Sequence, residues 1–159
     1  MKFRFSHLPS SFKWAITAFL LLASIGFGVA GLQSYERYKL NMEKTIHHYS
    51  GDPAEGEMAV PKPYGYLLSV THVHSFTMPL VFLTVWIGLQ GVPNRSALKK
   101  FFIFSGALTI LLYNGAPYLV RYRSPDWVLL FPLAGIGLFI FFFWPAGMVL
   151  YETWFGFKD

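Results

Sequence analysis

The chain has 159 residues, room for one domain, with 54% hydrophobic and only 13% charged residues, a balance that excludes an ordinary soluble fold and points to the membrane. Its net charge of +5 lies beside apolar runs and not in a dense patch, which argues against nucleic acid as a partner. Cysteine is absent, which excludes disulfides, thiolate metal sites and cysteine nucleophiles.

The first apolar run, residues 14–32, reads WAITAFLLLASIGFGVAGL. Its Gly28-Val29-Ala30 resembles a small-x-small cleavage site, but the run is read as a retained helix. Ser24 with Gly28 and Gly26 with Ala30 share faces at four-residue spacing, allowing a neighbouring helix to approach closely, within the bundle or across a dimer.

Residues 33–65 form a longer loop of mixed charge, carrying Arg37, Lys39, Lys44 and Lys62 among Glu36, Glu43, Asp52, Glu55 and Glu57. It also holds His47 and His48. Further spans are predicted at 66–90, 101–120 and 127–148, each near the about 20 residues that cross a hydrocarbon layer. None alternates polar and apolar residues as a strand would. The expected fold is therefore all-α: a polytopic bundle of four transmembrane helices forming a single domain over 1–159. Pro79 and Pro117 predict local bends, and Pro145 either interrupts the fourth span or marks its exit. The following AGMVLYETWF reads as an interfacial segment.

Lys2, Arg4 and Lys13, and then Arg95, Lys99 and Lys100, stand without acids in short segments. The positive-inside rule then places both termini in the cytoplasm and the 33–65 loop outside, in a bacterial or archaeal cytoplasmic membrane. Arg121 and Arg123 fall on the side where that rule expects few cations, so they are read either as site residues or as headgroup contacts.

Chemistry is expected at this outer end. His72 lies about 10 Å along span two, and His74 sits half a turn deeper. Residues two apart diverge by about 200°, so when one imidazole faces the bundle centre the other faces a neighbouring helix, a loop or a partner protein; His74 shares a stripe with Thr71 and Met78, His72 with Ser69 and Phe76. In span three Asn114, Tyr118 and Arg121 share a face, with Tyr113 and Arg123 close by. Polar groups in hydrocarbon need partners, and gathering them into one cluster is the least costly arrangement.

An imidazole is a good iron ligand, and arginines and tyrosines at the membrane surface suit propionates, so the cluster accommodates haem b. With its four spans, intramembrane histidines and nearby arginines, the chain resembles the four-helix membrane-anchor cytochromes b. That resemblance implies electron transfer between haem and quinone, with His72 or His74 as axial ligand and Arg121 or Arg123 on a propionate. No histidine occurs in the other three spans, so a second ligand would come from His47, His48, Met78 or another subunit. Quinone chemistry draws on the same groups: histidine accepts a proton near neutral pH, while tyrosine or asparagine orients a carbonyl. Copper or zinc at His47, His48, His72 and His74 is a further reading, without a specific spacing signature.

The sequence carries no HExxH motif, phosphate loop, dinucleotide fingerprint or hydrolase constellation. The function expected is a membrane subunit of a redox complex, binding haem b or quinone at its outer face beside other redox subunits and lipids. The alternatives are a structural accessory subunit and an outer-facing copper or zinc binder.

Overall fold

The computed structural model describes residues 4–39, 41–51 and 60–157. Lys2 and the loop acids Asp52, Glu55 and Glu57 lie outside the described residues. The elements are α1 (Ser10–Tyr38), α2 (Met42–Ser50), α3 (Tyr64–Gln90), α4 (Ser96–Tyr122) and α5 (Leu130–Trp154), with 3-10 turns at Phe5–His7 and Pro125–Leu129. Four of these helices are long and apolar enough to cross a membrane, so the chain is an all-α, four-span bundle.

Several boundaries extend beyond the sequence expectation. α1 continues to Tyr38 and closes on Lys39 in the left-handed conformation (φ 51°), whose N–H bonds the Tyr35 carbonyl. The 33–65 segment then contains a further helix. Asn41 caps α2 by accepting the Lys44 N–H at 3.1 Å, and α2 buries Thr45 and Tyr49, four residues apart on one face. α2 is tied to α5 by the Tyr49 ring stacked on Phe131 at 5.2 Å, and to α4 by Ser50 Oγ donating to the Val120 carbonyl. Pro79, Pro117 and Pro145 all lie inside uninterrupted helices. Of the two readings of Pro145, interruption is not found: that proline is buried, and the helix runs on through the segment expected at the interface to Trp154.

Small residues set the helix crossings, because lipid supplies little force to drive helices together. Gly88 of α3 abuts Val149 of α5, Gly106 of α4 abuts Phe82 and Trp86 of α3, and Gly137 of α5 abuts Thr109 of α4. A methyl group at Gly137 would come within 2.8 Å of Thr109. The core between them is aromatic and aliphatic, centred on Phe82, Phe142, Val85, Leu138 and Ile110. α1 packs against α5 and stacks Phe27 on Phe142 at 4.4 Å. Its close approach is at Gly31, against Phe139; Gly26 and Gly28, the glycines singled out by spacing, meet nothing.

The four spans alternate in direction, so both termini share one end and α2 crosses the other. At the terminal end Glu152 is fully buried. Its carboxylate accepts Arg4 Nε at 3.0 Å, Arg4 Nη2 at 3.3 Å, Ser6 Oγ at 3.0 Å and the Phe157 N–H at 2.8 Å. Arg4 also donates to the Phe157 carbonyl. The Phe5 ring presses on the backbone of Gly91, and Trp14 meets Trp154 edge-on at 5.1 Å. Trp154 Nε1 donates to Thr17 Oγ1 at 2.9 Å.

Candidate functional site

Burial along α3 resolves its two histidines. Leu67, Phe82, Val85 and Leu89 are buried, and Thr71, His74 and Met78 continue the same stripe half-buried. His72, Phe76, Leu80, Leu83 and Ile87 are all exposed on the opposite face. The divergence expected from two-residue spacing therefore holds. His74 is on the packed side, whereas His72 lies on the lipid side with its ring 5.1 Å from that of Phe76.

On α4, Asn114, Tyr118 and Arg121 are all half-buried, and the first two meet α3. Asn114 Nδ2 donates to the Ile110 carbonyl at 2.9 Å and lies 3.8 Å from the sulfur of Met78. One turn further along, the Tyr118 ring meets Tyr64 edge-on at 6.2 Å. The two contacts show that α3 and α4 run antiparallel, and His74 lies on α3 between Tyr64 and Met78, one turn from Met78. Arg121 lays its guanidinium over the Tyr122 ring at 5.4 Å, and its buried Nε has no hydrogen-bond partner among the described residues. Arg123 is the exposed residue that ends α4. Tyr113 turns away from this face toward α5, where its ring meets Phe131 at 6.2 Å.

The loop histidines sit on α2. His47 Nε2 lies 3.9 Å from the Glu43 carboxylate one turn back, and the His48 ring packs edge-on against Tyr49 at 4.9 Å. Burial, followed by the nearby charges of Lys62 and Arg37, lowers the His48 pKa to about 4. Among the described residues, no three of His, Asp and Glu come together in a group able to hold one ion.

Sequence reasoning missed a cavity of about 490 Å³ at the α2 end, enclosed chiefly by α1, α2 and α5. Met78 and Tyr113 also line it, so Met78 touches both the cavity and the Asn114 amide. The signal available beforehand was the amphipathic 42–50 stretch behind the capping Asn41. Treating 33–65 as loop hid the helix that roofs the cavity.

A family of transmembrane helical domains, Aq_1264_TM, matches residues 39–159. The match takes in α2 to α5 and leaves α1 outside. No curated protein and no solved structure matches the chain.

Proposed function

The chain belongs to the Aq_1264_TM family of transmembrane helical domains, and on that footing we propose that it is the membrane subunit of a redox complex, holding a quinone at its α2 end on the outer face. The observation that carries this reading is the position of His74. It is a half-buried imidazole on the packed stripe of α3, one turn from Met78, which meets Asn114 of α4, and on the side toward Tyr64, which meets Tyr118. An imidazole nitrogen can donate to or accept from a ligand oxygen, and neutral amide and phenol groups orient a carbonyl oxygen. A quinone, when bound, supplies the two-electron chemistry. The chain's own groups would position its ring: His74 at one oxygen, with Asn114 and Tyr118 beside it.

Quinone is favoured over haem b because the two span histidines are divided between opposite faces of α3, leaving one on the packed side. Haem b, a copper or zinc ion, and a purely structural role are the competing outcomes of one experiment. The protein is purified with its partners in mild detergent, its quinone extracted and quantified, its metals analysed and its reduced-minus-oxidised spectrum recorded. The expected result is co-purifying quinone that is lost in His74→Leu and retained in His72→Leu. A haem b band lost with His74 would replace quinone by haem, and stoichiometric copper or zinc would support the metal reading. An intact complex carrying none of these would make the subunit structural.

A further inference from the structure

The cavity at the α2 end rests on observations separate from the histidines. Its walls are Phe27 to Tyr35 on α1 and Phe131 to Ile140 on α5, stretches that run about 12 Å along their helix axes. The slot is therefore elongated along the bundle. Its volume of about 490 Å³ falls in the range of about 300–1,000 Å³ usual for small-molecule sites.

Polarity changes along this length. The deep part is lined by Phe27, Leu138, Phe139 and Ile140, whereas Ser34, Tyr35, Asn41 and Thr45 line the mouth. Asn41 uses its side-chain oxygen to cap α2, which turns an amide NH2 donor toward other acceptors, and Thr45 returns its hydroxyl to the Asn41 carbonyl at 3.0 Å. The space is also built into the sequence of α5. Gly135 lines the cavity, and a Cβ added there meets no heavy atom within 4 Å. A methyl group at this position would enter the void without striking the surrounding helices.

We propose that this cavity is a binding site for the hydrocarbon chain of a single-chain amphipathic molecule, with its polar head at Asn41 and Thr45. The hydrocarbon part finds apolar walls at membrane depth, and the head finds hydroxyl and amide groups at the mouth. A lipid acyl chain and the isoprenoid tail of a quinone share this chemistry. The site needs α1, which supplies a full wall although it lies outside the family match. It stands whether or not His74 binds a quinone ring.

The test places the full chain in phosphatidylcholine nanodiscs with a nitroxide-labelled stearate and measures the immobilised fraction by electron paramagnetic resonance. Gly135→Leu plugs the slot. Gly147→Leu makes the same change on α5 at an exposed position with open space, away from the cavity. Binding is expected to weaken about ten-fold or more in Gly135→Leu and to stay unchanged in Gly147→Leu. Ala30→Phe plugs the slot from the α1 wall and serves if Gly135→Leu does not elute as a single species. Displacement by decylbenzoquinone but not lysophosphatidylglycerol assigns the chain to a quinone; the reverse assigns it to a lipid. An immobilised fraction equal in wild type and both plugged variants would be ordinary boundary lipid and would overturn the site.

Discussion

At the terminal end, a fully buried carboxylate has four hydrogen bonds, and tryptophan and phenylalanine rings close around it. At the α2 end, His74, Asn114, Tyr118 and Arg121 are only half-buried, and the polar contact between α3 and α4 is a long one, from an amide to a sulfur. The first arrangement fastens the chain: every group that donates to Glu152 comes from the N-terminal segment or from the residues just after α5. The second leaves the buried Arg121 Nε without a hydrogen-bond partner among the described residues, and a cavity opens at the same end. Stability and the proposed binding are thus assigned to opposite ends of the bundle.

The largest effect expected follows from removing the carboxylate. Glu152→Ala removes the carboxylate that accepts from Arg4, the Ser6 hydroxyl and the Phe157 N–H, and losing one partner of a buried ion pair costs about 3–5 kcal/mol. Arg4→Ala should cost a similar amount by stranding the buried carboxylate. The double variant should lose much less than the sum of the two, because both changes act on one network. Thermal unfolding in mild detergent reads all three. Bound quinone, measured below the melting point, should be unaffected. If Glu152→Ala empties the α2 end while the bundle remains folded, the two ends are not independent.

Acid should act in the opposite place. His48 stays neutral in the folded chain because burial, Lys62 and Arg37 oppose its charging, with a pKa near 4 in place of 6.5. As pH falls through 6.5 the unfolded segment takes up a proton that the folded one refuses, so α2 docking is fully stable above 6.5 and weakens progressively toward 4. Below that the folded state is protonated too, and the loss levels off. The ring is half-exposed, so the effect should be smaller than the loss of Glu152. Hydrogen exchange of the α2 amides across this window checks it, and His48→Gln should flatten the profile.

The spans were legible because hydropathy over about 20 residues depends on composition alone. The divergence of His72 and His74 was legible because helical geometry fixes it. Which of the two faced inward was not, since neither stripe is purely apolar; the answer came from Phe82, Val85 and Leu89 lower on the same face. The burial of Glu152, within the stretch read as interfacial, was not legible because its partners, Arg4 and Ser6, lie nearly the whole chain away. The cavity was hidden for a related reason: a void is made by what three helices fail to fill, and Gly135 carries no mark of it in one dimension.

A smaller effect is expected at the interhelical contact of the proposed site. Asn114→Leu removes an amide whose closest bond is to its own helix, at the Ile110 carbonyl, and whose reach to Met78 ends on a weak sulfur acceptor. Polar contacts between membrane helices average about 0.6 kcal/mol, so the melting temperature should barely move. Quinone retention should fall in the same variant, which separates positioning from stability. A loss of stability rivalling that of Glu152→Ala would mean that the α2 end is fastened as firmly as the other.

The smallest effect is expected on the outward face of α3. His72 is exposed, and its ring already lies against Phe76, so His72→Phe exchanges one ring for another in contact with lipid. Stability should change by no more than about 0.5 kcal/mol, as for surface positions generally. Quinone content should remain at the wild-type level, although His74 stands only two residues away. The pair is thus a test of direction within one helix: the same chemistry placed half a turn apart should matter on the packed stripe and be silent on the lipid one. Equal sensitivity at both positions would mean that a partner helix covers the exposed stripe of His72, Phe76 and Leu80, and the site would then lie between subunits instead of within this chain.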